Sequence, residues 1–302
     1  HLYELLAQSQ FKTLKGTGAG QLFRTTLTKA LFSSPAALLS MIANRQKRLA
    51  KRLQQDPSQA DLRHDLDQLN ALEDSAKAIR PAQFSKYQQV VRLLNGQDEA
   101  GQAFGWKPKD SADRLVLFTE SIPTLSFLAQ HLPKDCNLRA NQVAVLRGDM
   151  RDSEITELIE QFNNLNSPLR LLLCSDVASE GINLHHLSHR LVHFDIPWSL
   201  MVFQQRNGRI DRYGQTQTPQ IRYLLTESQN PKIRGDNRIL EVLIEKDTQA
   251  GKNIGDTSEF SQEEGEERTA QFIKRNEEAV QANAEAELDL ASLFADFLDD
   301  NS

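Results

Sequence analysis

The sequence predicts an α/β protein: a three-layer domain on a mostly parallel sheet, preceded and followed by helical segments. Three observations predict it. Short apolar strand candidates recur between residues 113 and 226. Helix-period stretches separate several of them, the alternation expected of parallel strands covered on both faces. The residues on either side of this region carry helical rather than strand-like spacing.

Composition narrows the class. Across 302 residues, 39% hydrophobic content and 14 Phe supply a sizeable core, while a mean hydropathy of -0.51 requires much polar helix or tail. No run of about 18 apolar residues occurs, so no membrane span is expected. The opening residues lack a secretory pattern. Two cysteines, Cys136 and Cys174, make no disulfide framework, and a reduced, cytoplasmic setting is expected. Of the net charge of -6, residues 254–302 carry -11 (14 Asp/Glu against three Lys/Arg), leaving +5 for residues 1–253. A mildly basic body is compatible with a polyanion partner. The chain opens in "HLYELLAQSQ", helical and without an initiator Met, which reads as a piece of a longer protein.

The elements follow in order. Residues 1–112 are expected to be a helical flank. Ser33 and Ser34 cap a helix with Pro35 in its first turn. "DPS" at 56–58 turns the chain, and a second polar helix completes a hairpin. A third helix closes at Gly96. The domain over residues 113–250 has strands at 114–118, 142–146, 169–175, 190–196 and 221–226, with helices at 121–132 and 153–164. Its functional loops, expected at the carboxyl ends of the strands, are residues 119–121, 147–151, 175–183 and 195–199. A helix with Ile239, Leu240, Leu243 and Ile244 on its apolar stripe comes next, then an acidic helical tail over 251–302.

The most loaded stretch is "QQRNGRIDRYGQ", residues 204–215. Ser199 is expected to cap a helix there, and Gly214 to end it. On a wheel of about 100° per residue with Phe203 at zero, Ile210 falls at about -20°. Gln205, Arg209 and Arg212 then form an opposite stripe between about 180° and 240°, with Gly208 at its edge. Arg206 falls off the stripe, at about 300°. Two guanidiniums and an amide on one face suit a phosphate chain. A solvated, salt-bridged helix face is the plainer alternative.

The surrounding motifs favour phosphate. "QQRNGRIDR" contains Q-x-x-G-R-x-x-R and resembles motif VI of superfamily-two helicases and translocases. "CSDVASEGINL" resembles motif V, "LVLFTES" motif IV, and "LRGDMRDSE" the Gly-containing turn that follows it. "FDIPWS" and "GQTQTP" point to the Swi/Snf-type branch, with similarity to the bacterial RNA-polymerase-associated translocase group. The resemblance covers residues 113–247 and implies a C-terminal RecA-like domain. It implies that Arg209 and Arg212 are arginine fingers for the ATP γ-phosphate, with Gln205 and Gly208 at the nucleotide edge. Gly181 and Asn183 would approach ribose and phosphates, and Glu180 would order their loop. Thr119, Gly148, Ser175 and Ser179 would meet nucleic-acid phosphates. Ser175-Asp176 stands where many relatives have Thr-Asp.

No G-x-x-x-x-G-K-[ST] occurs. "GTGAGQL" (16–22) lacks the Lys, and "DEAG" (98–101) lacks both a leading strand and the His of a DEAH box. ATP and Mg2+ would therefore be held mainly by a first RecA-like domain of the same parent chain. The fragment alone is expected not to hydrolyse ATP.

Other features have plainer readings. His185, His186, His189 and His193 lack a metal-site pattern, so no metal is expected; His185 and His186 are expected to face solvent and His193 to sit at the core edge. "RQKRLAKR" (45–52) reads as a solvated hairpin face. Trp198 reads as packing, while Trp106 in its loop fits either packing or base stacking. Two functions stand at this point. One is the motor half of an ATP-dependent translocase or helicase, with double-stranded DNA its expected substrate. The other is a non-catalytic interaction module with an acidic docking tail.

Overall fold

The computed structural model describes residues 1–14, 17–97, 104–176, 182–228, 233 and 235–252. The acidic tail and the "DEAG" stretch lie outside the described residues.

The flank is helical, as expected: α1 (Leu2–Gln8), α2 (Thr17–Ser33), α3 (Pro35–Gln55), α4 (Ala60–Lys77) and α5 (Ser85–Leu94). Most of "GTGAGQL" is the start of α2. Ser34 caps α3, its Oγ accepting from the Ala37 amide at 3.0 Å. Asp56 closes the hairpin turn through the Ser58 amide and hydroxyl. Leu38, Ile42 and Leu49 of α3 pack in one core with Leu62, Leu69 and Leu72 of α4. Within the basic run, Arg45 donates to Thr13 Oγ1 and lies over the Phe23 ring. Gln46 bridges to Asn70 and Glu73 of α4. Part of this run therefore builds the hairpin. Gly96, with φ +71°, ends α5 where a side chain would be strained.

Five strands form the sheet: β1 (Arg114–Phe118), β2 (Val143–Leu146), β3 (Leu171–Cys174), β4 (Ser188–His193) and β5 (Gln220–Tyr223). Their order is β2-β3-β1-β4-β5, and every pairing is parallel. α6 (Ile122–Asp135) joins β1 to β2, α7 (Asp152–Phe162) joins β2 to β3, α8 (Leu200–Asn207) joins β4 to β5, and α9 (Asn237–Lys252) follows. Strand alternation divides the apolar residues between two faces. Leu115, Leu117, Leu171 and Leu173 share one core with Tyr87 and Val90 of α5 and Leu125 and Leu128 of α6. Val116, Phe118, Leu172 and Cys174 share the other with Phe162 and Ile210.

Phe104 and Trp106 also belong to the first core, and Trp106 donates its indole N–H to the Asp113 carbonyl. Trp106 is a packing residue, and the sheet's core reaches back into α5, before the boundary expected at 112. β4 begins two residues earlier than expected. His189 and Arg190 are accommodated inside it, because Arg190 pairs with Asp113 and donates to the Phe104 carbonyl.

Arg114 begins β1 fully buried and has no carboxylate partner among the described residues. Its guanidinium donates to the carbonyls of Gln161, Phe162 and Asn164, capping the carboxyl end of α7. Burial, with Arg170 nearby, draws its pKa down to about 10, so it stays charged at neutral pH and opposes the negative end of the helix. Arg114→Met is expected to cost about 3 kcal/mol, since several buried carbonyls lose a charged donor. Its shift in urea midpoint checks this.

The flank docks on the carboxyl edge of the sheet. Ser33 and Ser34 hydrogen-bond to Thr124 of α6 at 2.7 and 2.6 Å. Lys29 pairs with Glu120 at 2.7 Å. Buried Lys86 of α5 donates to the Phe32 carbonyl and approaches Asp236 at 3.5 Å. Burial pulls Lys86 down and pushes Asp236 up, each partly offset by the other's charge.

Candidate functional site

All strands being parallel, their carboxyl ends bring the expected functional loops to one edge. Thr119 follows β1, residues 147–150 follow β2, Ser175 and Asp176 follow β3, and Asp195 follows β4. The chain between β4 and β5 then lays the arginine segment against the segment that follows β3.

The helix in that segment is shorter than expected. α8 ends at Asn207 with Gly208 as its C-cap, and residues 208–214 are turns and bends. Gly214 adopts φ +96° in the last turn rather than ending the helix. Phe203 and Ile210 are buried, as expected, but in separate clusters. The single stripe of Gln205, Arg209 and Arg212 does not exist, because Arg209 and Arg212 lie beyond the helix. Beyond the helix, the Leu184 amide donates to the Arg209 carbonyl at 3.3 Å. Ser199 stands at the N-cap, but its side chain makes no capping bond.

Tertiary contact still joins the two motifs. Arg209, 9% exposed, donates to the Ile182 carbonyl at 3.2 Å. Arg212 is exposed, and its guanidinium donates to Asn183 Oδ1. Arg212 therefore carries its charge to the surface, whereas Arg209 is tucked against the chain. Gln205 is half-buried on α8, and the Cβ of a residue at Gly208 would come within 3.2 Å of the Gln204 carbonyl. Ser179, Glu180 and Gly181 lie outside the described residues.

Among the nucleic-acid candidates, Gly148 is exposed in the turn after β2. Ser175 is 3% exposed, and its Oγ has no partner among the described residues. Thr119 is fully buried and spends its hydroxyl on Asp195 at 2.7 Å. It sits behind the surface and fixes Asp195.

The strongest polar constellation at this edge centres on Arg206. This residue is 1% exposed and grips Asp176 with a two-pronged fork, Nε to Oδ1 at 2.5 Å and Nη2 to Oδ2 at 2.7 Å. Its Nη1 donates to the Asp195 carbonyl at 2.8 Å and to His193 Nδ1 at 3.3 Å. A guanidinium only donates, so His193 accepts at Nδ1, and its Nε2–H is left to meet Asn207 Oδ1 at 2.8 Å. Burial and Arg206 hold the His193 pKa down to about 3, so the ring is neutral.

Asp195 accepts from Ser33, Thr119 and the Glu120 amide. Burial alone would raise its pKa, but Arg206, Lys86 and the two hydroxyls hold it below the usual carboxylate value. One carboxylate thus joins the flank, the end of β1 and α8. The signal for Arg206 lay in the wheel: it falls about 60° from Phe203, toward the core, where a cation needs a buried anion. Two aspartates directly after strands supply it.

The other expectations fall as follows. His193 is in the core, stacked with Tyr223 at 4.7 Å and Phe203 at 5.8 Å. His186 is exposed, but His185 is buried beneath the turn that carries Gly214, contrary to expectation. Among the described residues, no group of three or more metal-ligating side chains comes together. Trp198 packs beside Ile196 and Phe203, with Lys29 5.2 Å from its ring centroid. Cys136 and Cys174 are both buried and unbridged. Among the described residues, no helix is long and apolar enough to cross a membrane.

Comparison with known proteins points to helicases. Residues 86–214 match the family described as "Helicase conserved C-terminal domain". This segment is similar to a helicase C-terminal domain. The domain is similar to part of an uncharacterized ATP-dependent helicase, YqhH, from Bacillus subtilis, at 27% identity over 212 residues. That match covers 70% of this chain and 33% of YqhH, so the chain spans about a third of the relative's length. Among solved structures, the C-terminal part of the Fun30 ATPase domain is 15% identical with a TM-score of 0.45, covering 88% of this chain and 86% of that one. The Escherichia coli DEAD-box protein SrmB, bound to RraA, is 23% identical with a TM-score of 0.35, covering 46% and 68%.

Proposed function

We propose that the helicase C-terminal domain is the second motor domain of a superfamily-two, Swi/Snf-type translocase or helicase, acting on double-stranded DNA in the bacterial cytoplasm. ATP and Mg2+ would be held mainly by a first RecA-like domain of the parent chain. Arg212 and Arg209 would reach the γ-phosphate, and Gln205, Gly208, Glu180, Gly181 and Asn183 would line the nucleotide edge. Gly148, Ser175 and Ser179 would contact DNA phosphates, with Thr119 acting through Asp195. Domain closure would complete the ATP site, and opening would shift the grip on the strand.

One observation carries the reading: the exposed Arg212 is poised on Asn183, so the two motifs meet with a guanidinium presented outward. The full-length parent with Arg212→Ala, assayed for DNA-stimulated ATP turnover, tests it; unchanged turnover overturns the finger role. The pure 302-residue chain is expected to show no ATP turnover above blank, checked by phosphate release.

A further inference from the structure

The basic run "RQKRLAKR" has a half that the hairpin does not use. α3 carries Arg45, Lys47, Arg48, Lys51 and Arg52 and not one Asp or Glu. Arg45 is spent on Thr13 and the Phe23 ring. Lys47, Lys51 and Arg52 are exposed, and their side chains enter no hydrogen bond or ion pair among the described residues. The partner helix α4 does not neutralise them. Its Asp65 is buried and accepts from the Lys12 and Thr13 amides. Glu73 is taken by Lys77 and Gln46. Asp61, Asp67 and Asp74 are exposed and pair with none of the three cations. On α3 itself only uncharged exposed residues, such as Asn44, Ala50 and Gln54, surround the cations. The result is a rigid helix face of one sign.

Spacing and place select the partner. Lys47 and Lys51 are four residues apart, a rise of about 6 Å, comparable with two base-pair steps of a duplex, about 7 Å along its axis. Ser34 marks where the flank meets the carboxyl edge of the sheet, through Thr124. Lys47 to Arg52 stand about 20–27 Å along α3 from Ser34, less than one duplex turn of about 34 Å. A duplex laid on the carboxyl edge therefore extends as far as this face. We propose that the outer face of α3 is a second grip on duplex DNA, in which Lys47, Lys51 and Arg52 meet phosphates of the duplex held at the carboxyl edge. The choice of DNA rests on the function proposed above. Charged groups on long stems meet the phosphate backbone and not the base edges, so the grip is independent of sequence.

The test is fluorescence anisotropy of the 302-residue chain with a labelled duplex of about 30 base pairs, between about 50 and 200 mM salt. Wild-type binding is expected to weaken steeply as salt rises. The triple variant Lys47→Gln, Lys51→Gln, Arg52→Gln is expected to lower the log–log salt slope by about 2–3, close to one for each lost phosphate contact, and to bind about tenfold more weakly at the lowest salt. Lys47→Arg with Lys51→Arg is expected to keep the wild-type slope, since the contact needs only charge. The three positions are exposed, so the urea midpoint of the triple variant is expected to match the wild type, which separates lost grip from lost fold. A wild-type slope in the triple variant, or no salt-dependent binding by the folded wild-type chain, overturns the proposal. Binding of a peptide of residues 254–302 in place of the duplex, with the same dependence on the three cations, would assign the face to the acidic tail and also overturn it. An unchanged slope leaves DNA as the substrate, whereas ATP turnover of the full-length parent that ignores DNA removes that reading and leaves a hairpin-dependent slope standing.

Discussion

Replacing Arg212 by Ala in the full-length parent is expected to lower DNA-stimulated ATP turnover by about 10³-fold or more, the usual worth of a cation that meets charge developing on a transferred phosphoryl group. The same substitution is expected to change the stability of the 302-residue chain by no more than about 0.5 kcal/mol, because it removes an exposed side chain. Among the described residues, the Arg212 side chain makes one hydrogen bond, to Asn183, on the surface. Arg212→Lys keeps the charge but loses the planar fork, and is expected to recover only part of the rate. Two measurements decide the matter: steady-state turnover with saturating DNA, and the urea midpoint of the isolated chain. A stability loss comparable to a core substitution would assign Arg212 to the scaffold.

Arg206→Met is expected to do the reverse. It should destabilise the chain by about 3–5 kcal/mol, since it leaves Asp176 and Asp195 without their shared cation. Arg206→Lys should recover little, because an ammonium cannot engage both Asp176 oxygens, the Asp195 carbonyl and the His193 ring together. A double variant, Arg206→Met with Asp176→Asn, should be more stable than the sum of its parts predicts, because the two side chains interact directly. Urea denaturation of the four proteins measures the coupling.

The pH dependence has a definite sign. In the wild type the Asp195 pKa lies below its unfolded value. Its contribution to stability is therefore present above about pH 4 and lost as pH falls through the folded pKa. Without Arg206, burial dominates and the pKa rises, so the variant recovers stability once Asp195 is protonated. The gap between wild type and Arg206→Met is expected to narrow between pH 7 and pH 4. A gap that widens on acidification would show that Asp195 does not depend on Arg206.

The helical flank has a defined place in this arrangement. Ser33 reaches Asp195, and Lys29 reaches Glu120, so the flank touches the same carboxyl edge as the arginine segment. Its hairpin is closed by its own core of leucines, and its docking contacts with the sheet are largely polar.

Local chemistry made much of this protein legible from sequence. Apolar runs separated by helical spacing determined the parallel α/β class, because a strand buried on both faces has no room for polar side chains. Ser34 followed by Pro35 determined the start of α3, and the "DPS" turn determined the hairpin. The order of four short motifs determined the helicase resemblance, with Arg209, Arg212 and Asn183 among its residues.

What only the tertiary structure decided depends on contacts between distant residues. The expected helix ran on to Gly214, yet α8 stops at Asn207 with Gly208, a poor helix former, as its cap, and the Arg209 carbonyl beyond it pairs with the Leu184 amide. The same contact brought Arg212 to Asn183 by a route the wheel did not describe. Sequence treated Arg206 as the arginine outside the pattern. Burial decided otherwise, because a guanidinium inside the fold must find carboxylates, and those after β3 and β4 meet only once the strands are paired. Thr119 turned inward for the same reason, since buried Asp195 binds its hydroxyl more readily than solvent does. Sequence determined which residues resemble the helicase motifs, and the paired strands decided which of them face outward.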